Sequence, residues 1–222
     1  MSLATQSTVP LRKPWSLPPH GLALFEGDRQ AQRLGHYFLP GLIRKGHRIL
    51  FLDGANCANP HLMARLAGRS GIPFGQFSRQ IQIARAFTCF QLTELIARVP
   101  QWVIDFPARV LIVTAFPDLY LDQDVRDGEA RIAFEHALGD LCRWSRSSRQ
   151  ALTIAVISSG FAAAEARRNF IGRTRAAATE VWKFNHDEHG KLTLSLQPSS
   201  REQRTMIKRG KRWDARFQLS ET

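Results

Sequence analysis

Apolar and polar residues follow two alternating patterns along this chain, which predict strands and helices in turn. Short continuous apolar runs, typical of strands buried on both faces, occupy 22–25, 48–53, 109–114 and 151–157, and 81–87 is a shorter candidate. Between the runs, apolar residues recur at helical spacing, and one long helix face is predicted at Ala130, Ala133, Phe134, Ala137, Leu138 and Leu141. This alternation predicts an α/β fold in which a mainly parallel sheet is flanked by helices.

Proline, glycine and asparagine mark several expected element ends. Asn59 followed by Pro60 is typical of a helix start, because the asparagine side chain caps the helix and proline fits its first position. Gly71 is expected to end that helix. The pair Pro40 and Gly41 is expected to break or kink the helix that follows the first strand.

Composition divides the chain into three segments. Residues 1–20 are rich in proline and favour an extended arm, 21–198 form one core domain, and 199–222 are a basic tail. Within the core domain, strand-like runs at 181–185 and 192–196 flank a turn and predict a C-terminal β-hairpin at the sheet edge.

Charge and cysteine usage limit the classes of function. The 222 residues include 31 Lys and Arg against 19 Asp and Glu, a net charge of +12, which favours polyanionic partners. Cys57, Cys89 and Cys142 lack the Cys-x-x-Cys spacing of zinc sites and are expected to be buried thiols. No apolar run approaches the ~18 residues that span a bilayer, so we expect a cytoplasmic protein without a membrane partner.

A degenerate phosphate-binding loop is the first candidate site. The apolar run 22–25 meets Gly27 and then a helix, as in a strand, glycine loop and helix that cradle phosphate. Counted from Gly27, the second glycine of the pattern is replaced by Gln32, the lysine by Arg33 and the magnesium-binding hydroxyl by Leu34. The candidate nucleotide-binding residues are Gly27, Asp28, Arg29, Gln32 and Arg33.

Several strings resemble the ATPase core of the RecA/RadA recombinase superfamily. The string Ile-Ala-Arg-Ala-Phe-Thr-Cys-Phe-Gln-Leu at 83–92 is similar to a string of its archaeal and eukaryotic branch, and 49–53, 110–113 and 153–159 resemble further core strands. The resemblance covers roughly residues 20–198. It implies a RecA-like P-loop NTPase fold and a divergent recombinase paralogue.

The departures from that family fall in three separate motifs. Ala55 stands where the family has its catalytic glutamate, and Thr114 stands where the Walker B aspartate belongs. With Gln32 and Leu34, these changes remove the groups that hold magnesium and activate water. The resemblance therefore implies a RecA-like domain with no catalytic residues for ATP hydrolysis and no required cofactor. Binding of ATP without hydrolysis stays open.

Two basic segments are candidate nucleic-acid sites. The family's second DNA-binding loop corresponds here to about 158–178, with candidates Arg167, Arg168, Asn169, Phe170, Arg173 and Arg175. A solvated helix face is the alternative for this segment. The tail adds Lys208, Arg209, Lys211 and Arg212, interleaved with aromatic residues, as either a nucleic-acid clamp or a solubilising tail.

Other polar clusters predict no metal site. Asp118, Asp122, Asp124, Asp127 and Glu129 miss the calcium-loop spacing and favour a solvated loop leading into a helix N-terminus. His186 and His189 flank a turn, where an exposed turn is favoured over a metal site.

The sequence thus favours a non-catalytic RecA-like paralogue that binds DNA, preferentially single-stranded, or a recombinase or paralogue partner, in recombination or repair. The alternatives are an ATPase with an atypical loop around Arg33 and a pure protein-interaction regulator of DNA repair.

Overall fold

The computed structural model describes residues 17, 21–147, 152–159, 168–186, 192–197 and 216–218. Most of the predicted arm and of the predicted tail therefore lies outside the described residues. Residues 216–218 of the tail form a strand.

One mixed sheet organises the described residues. Its strands are β1 (Gly21–Glu26), β2 (Ile49–Asp53), β3 (Ile81–Arg85), β4 (Val110–Thr114), β5 (Thr153–Ser158), β6 (Glu180–His186), β7 (Leu192–Gln197) and β8 (Arg216–Gln218). Their order is β3-β2-β4-β5-β1-β6-β7-β8. All pairs from β3 to β6 are parallel, whereas β7 pairs antiparallel with β6 and with β8. The residues that connect β6 to β7 lie outside the described ranges, so the hairpin stays a prediction.

Helices cover both faces of this sheet. They are α1 (Leu34–Arg44), α2 (Pro60–Arg69), α3 (Phe74–Arg79), α4 (Cys89–Ala97), α5 (Val99–Asp105), α6 (Asp127–Ser145) and α7 (Arg168–Ala177), with short 3₁₀ helices at Arg29–Arg33 and Asp118–Leu121. The predicted α/β class with a mainly parallel, helix-flanked sheet is confirmed. The architecture is compatible with a Rossmann-like or P-loop-like fold.

The alternation of side chains along the strands creates two cores. Leu22 and Leu24 of β1 face one layer, which α4, α5 and α6 cover, and the six predicted apolar positions of α6 are all buried there. Ala23 and Phe25 face the opposite layer, which α1, α2 and α3 cover. Strands β1, β2, β4 and β5 are therefore buried on both faces, which explains their continuous apolar sequences.

The predicted helix start at Asn59 is confirmed. A break or a kink was predicted at Pro40, and the helix is not broken there. Asn59 Oδ1 accepts a 3.0 Å hydrogen bond from the backbone N–H of Leu62 and caps α2. Helix α1 continues through Pro40 to Arg44. Its buried residues Leu39 and Leu42 lie on both sides of the proline, and their packing offsets the backbone bond that proline removes.

Candidate functional site

The candidate site lies at the carboxyl ends of the parallel strands. A cavity of about 680 Å³ opens there between the segments that follow β1, β2, β4 and β5. Its lining residues are Gln32, Arg33, Ala55, Asn56, Cys57, Ala58, Asn59, Pro60, Ala115, Asp118 and Ser159. Open parallel sheets bind ligands at this edge, so the cavity is where the chemistry of such a fold is expected.

The loop after β1 is capped by its own carboxylate. Asp28 Oδ1 accepts a 2.7 Å hydrogen bond from the backbone N–H of Gln30, and the 3₁₀ helix Arg29–Arg33 begins at once. In a phosphate-binding loop, such amides are directed at the phosphate. Here a negatively charged side chain takes one of them, which disfavours a second anion at this position.

Gly27 is explained by packing. A Cβ atom at Gly27 would lie 2.8 Å from Phe184 Cβ and 2.9 Å from Ala31 Cβ. The sequence pattern predicted that Gly27 belongs to a phosphate-binding loop. In the structure, it leaves space for β6 and for the 3₁₀ helix to lie against the loop.

Gln32 connects the β1 loop to the end of β4. Its Nε2 donates to Asp118 Oδ2 at 2.7 Å, and its Oε1 accepts from the backbone N–H of Ala115 at 2.8 Å. Only 7% of Gln32 is exposed. Leu34, at the position of the magnesium-binding hydroxyl, is buried in the core beneath the sheet. Neither residue is placed to bind a magnesium nucleotide. The Gln32 side chain ties the β1 loop to the segment after β4, and the Leu34 side chain faces the core.

Asp53, at the end of β2, is fully buried and is surrounded by donors. Its carboxylate accepts from the backbone N–H groups of Cys57 at 2.9 Å and Ala58 at 2.8 Å, and from Thr114 Oγ1 at 3.2 Å. Arg85 Nε lies 3.5 Å from Asp53 Oδ2. Thr114 Oγ1 in turn accepts from the backbone N–H of Ala55 at 3.1 Å. The two departures at 55 and 114 are thus joined in one structural hydrogen-bond network.

The Cys57 thiol belongs to the same network and is unsuited to nucleophilic chemistry. Its Sγ donates to the backbone carbonyl of Gln32 at 3.2 Å. Burial and the neighbouring Asp53 carboxylate raise the pKa of Cys57 to about 12. The thiol therefore stays protonated near neutral pH and serves as a hydrogen-bond donor.

Sequence reasoning missed His36 and assigned Asp118 wrongly. His36 is fully buried between α1 and the start of α2, and no motif marks it. Asp118 was placed in a solvated acidic loop, yet it accepts from Gln32, Ser158 and Ser159. The acidic segment was also predicted to lead into a helix N-terminus, and α6 does begin at Asp127. Among the described residues, no group of three or more His, Cys, Asp or Glu side chains is placed to hold a metal ion.

The arginine-rich segment is partly built into the core. Phe170 of α7 is 4% exposed, and its ring stacks on Phe134 of α6 with centroids 4.3 Å apart. Phe170 was a candidate for stacking on bases, and its ring is covered by the protein in this structure. Asn169 beside it is exposed.

Two of the candidate arginines have carboxylate partners. Arg175 makes a bidentate pair with Glu26 at the end of β1, with Nε and Nη2 at 2.7 and 2.8 Å from the two carboxylate oxygens. Arg173 pairs with Glu135 of α6. The hydrogen bonds from Glu26 raise the pKa of Arg175, and the two pairs attach α7 to the sheet and to α6. Both arginine side chains stay about half exposed.

Several candidates lie outside the described structure. These are Arg167, the side chains of Arg29 and Arg168, and the tail residues Lys208, Arg209, Lys211 and Arg212. The structure brings Gly27, Asp28, Gln32 and Arg33 together at one edge of the sheet. Of these, Arg33 is exposed and lines the cavity.

Comparison with known proteins gives no match to this chain, either among protein-family models or among curated proteins. In the part of the chain that the structure describes, no helix has the length and apolar character needed to cross a membrane.

Proposed function

We propose that this chain is a RecA-like recombinase paralogue that does not hydrolyse ATP and that binds DNA, or a recombinase partner, in recombination or repair. The mixed sheet with β1 between β5 and β6 is compatible with the RecA-like core that the sequence resembles. The net charge of +12 also supports the proposal, because basic proteins are attracted to the phosphates of DNA.

One observation carries the non-catalytic part of the proposal. At the carboxyl edge of the sheet, the positions that would serve ATP chemistry make hydrogen bonds to one another instead. Gln32 bridges Ala115 and Asp118, and Thr114 bridges Asp53 and Ala55. A site that hydrolyses ATP needs these positions for magnesium and for the attacking water.

Arginine side chains support the DNA-binding part. Arg173 and Arg175 of α7 are about half exposed, so each guanidinium retains surface for a phosphate oxygen although one side is paired. Arg33 adds an exposed charge at the cavity. Arginine binds phosphate through its planar group of donors and suits a single strand with accessible bases.

The experiment measures binding of labelled single- and double-stranded DNA by fluorescence anisotropy across a salt series. Arg175→Gln and Glu26→Gln break the same ion pair but change the net charge in opposite directions. If Arg175 contacts phosphate, Arg175→Gln weakens binding and reduces the salt slope by about one, whereas Glu26→Gln frees the guanidinium and strengthens binding.

Arg98→Gln and Glu94→Gln are the matched controls, because this exposed pair on α4 gives the same charge changes. Binding that changes equally in the α4 and α7 variants would show that only net charge matters. Absence of wild-type binding above that of an unrelated basic protein would overturn DNA binding and favour the protein-interaction regulator. Magnesium-dependent ATP turnover that Arg33→Ala abolishes would favour the ATPase alternative.

A further inference from the structure

Asp118 gathers three segments of the chain at the carboxyl edge of the sheet. Its Oδ1 accepts from the Ser158 hydroxyl at 2.6 Å. Its Oδ2 accepts from Gln32 Nε2, from the Ser159 backbone N–H and from the Ser159 hydroxyl, each at 2.7 Å. The donors come from the β1 loop and from the end of β5, while Asp118 itself follows β4. One half-buried carboxylate therefore joins all three segments by charge-assisted hydrogen bonds.

Gln32 extends this connection and fixes its orientation. The Gln32 amide donates to a carboxylate at one end and accepts from the Ala115 N–H at the other, so only one flip of the amide satisfies both contacts. Ala115 has φ of +55°, a left-handed conformation that is costly for alanine. The bond from its N–H to Gln32 helps to hold that conformation. The loop carbonyl of Gln32 also accepts from Cys57 Sγ, which adds the segment after β2.

The contacts of Asp118 lie next to the region assigned to DNA binding. Ser158 is the last residue of β5 and Ser159 follows it, while Arg175 of α7 pairs with Glu26 at the adjacent end of β1. Side chains of the protein therefore hold both the end of β5 and the contact between α7 and β1.

We propose that Asp118, together with Gln32, is a latch made of the protein's own side chains that positions the end of β5 for DNA binding. Asp118 is a positioning residue in this proposal, which rests on the proposed DNA-binding function. The latch makes DNA affinity independent of nucleotide, because the loop after β1 and the end of β5 are already joined.

The first experiment compares Asp118→Ala, Asp118→Asn and Asp124→Ala in DNA binding. Asp124 is an exposed acid near Asp118, so its replacement by alanine changes the net charge equally. Charge alone predicts slightly tighter DNA binding for both alanine variants. The latch predicts that Asp118→Ala binds DNA about tenfold more weakly. Without the hydrogen bonds from Gln32, Ser158 and Ser159 to the carboxylate, the end of β5 is no longer held in position.

Asp118→Asn is the conservative rescue. With its oxygen toward Gln32 and Ser159 and its amide toward the Ser158 hydroxyl, asparagine can maintain the connections, and we expect affinity near that of the wild type. Equal binding by the alanine and asparagine variants at 118 would overturn the proposal. So would a wild-type affinity that rises when ATP and magnesium are added.

Hydrogen exchange of the full chain without DNA separates failure of the latch from failure of the proposed function. We expect the Ser159 amide to be protected in the wild type without nucleotide, and to exchange about tenfold or more faster in Asp118→Ala while β5 stays protected. Rapid exchange of Ser159 in the wild type would overturn the latch. A protected Ser159 in a wild type that binds no DNA would instead overturn the DNA-binding function and, with it, the positioning role.

Discussion

His36 and Asn59 are joined by a buried hydrogen bond that determines the charge of the imidazole. His36 Nε2 accepts from the backbone N–H of Asn59 at 3.1 Å, and Nδ1 lies 3.1 Å from the backbone carbonyl of Arg33. An accepting Nε2 leaves the proton on Nδ1, which donates to that carbonyl. The folded protein thus holds a neutral histidine between α1 and the cap of α2.

This contact predicts a dependence of stability on pH. Burial lowers the pKa of His36 below its ordinary value of 6.5. Above that value the side chain is neutral in both states, whereas below it the unfolded chain binds a proton first. The free energy of unfolding is therefore expected to fall as pH decreases below 6.5, by at most about 1.4 kcal/mol per pH unit for this group.

Urea unfolding of the wild type and His36→Gln between pH 5 and 7 measures this effect, in a range chosen to limit carboxylate titration. We expect the variant to have a smaller slope, because glutamine still accepts from the Asn59 N–H but does not titrate. His61→Gln, on the exposed side of α2, is the control for replacing a histidine by glutamine. Burial and nearby positive charges also lower the pKa of His47, so some slope should remain in every variant. Identical slopes for the wild type and His36→Gln would refute the prediction.

Two glycine substitutions test the packing interpretation of the β1 loop. Gly27→Ala would place a Cβ atom within 3 Å of Phe184 and Ala31, so we expect a loss of about 1–3 kcal/mol of unfolding free energy. Gly41→Ala, at an exposed position of α1 with no heavy atom within 4 Å of the added Cβ, should stabilise by about 0.5–1 kcal/mol. Thermal unfolding of both variants measures the difference. A neutral Gly27→Ala would refute the packing role.

The core could be predicted from the sequence because its signals are local and repeated. Each buried strand is a short apolar run, and the six apolar positions of α6 recur at helical spacing, so burial follows directly from periodicity. The cap at Asn59 was also predictable, because asparagine is a favoured N-cap residue and proline fits the first position of a helix. The end of α1 could not be predicted from the sequence, because the packing of Leu39 and Leu42 outweighs the local effect of Pro40.

The candidate site was predictable only in part. Gln32, Ala55 and Thr114 were singled out as departures from the resembled ATPase motifs, yet the hydrogen bonds that these residues make join positions more than 50 residues apart. No local pattern indicates that Asp118 bonds to Ser159 or that Phe170 packs on Phe134. Contacts of this kind depend on which loops and helices become neighbours in the fold, and the order of the strands decides that.

The stack of Phe170 on Phe134 predicts a structural role for Phe170. Phe170→Ala would leave a cavity between α6 and α7, and we expect a loss of about 3–5 kcal/mol of unfolding free energy. Phe87→Ala is the matched control, because 63% of Phe87 is exposed and its loss should cost about 0.5 kcal/mol or less. Urea unfolding of the two variants gives the comparison. If Phe170→Ala were as stable as Phe87→Ala and lost only DNA affinity, a base-stacking role would be restored.

In the RecA-like proteins that the sequence resembles, the Walker B motif has an aspartate at the position of Thr114. Replacing Thr114 by aspartate tests whether this position serves the structural hydrogen-bond network or can support ATP hydrolysis. Thr114 Oγ1 lies 3.2 Å from Asp53 Oδ1 in a buried position, so Thr114→Asp brings two carboxylates together. We expect a loss of about 3–5 kcal/mol of unfolding free energy, since a buried charge without a partner is costly. Thr114→Asn is the control of equal size, and it should be more stable than Thr114→Asp because its amide can donate to Asp53. Magnesium and ATP should neither restore the stability of Thr114→Asp nor produce ATP hydrolysis, because Ala55 and Leu34 still lack the required groups. An aspartate variant that magnesium stabilises, and that then hydrolyses ATP, would show that this edge of the sheet retains a catalytic arrangement.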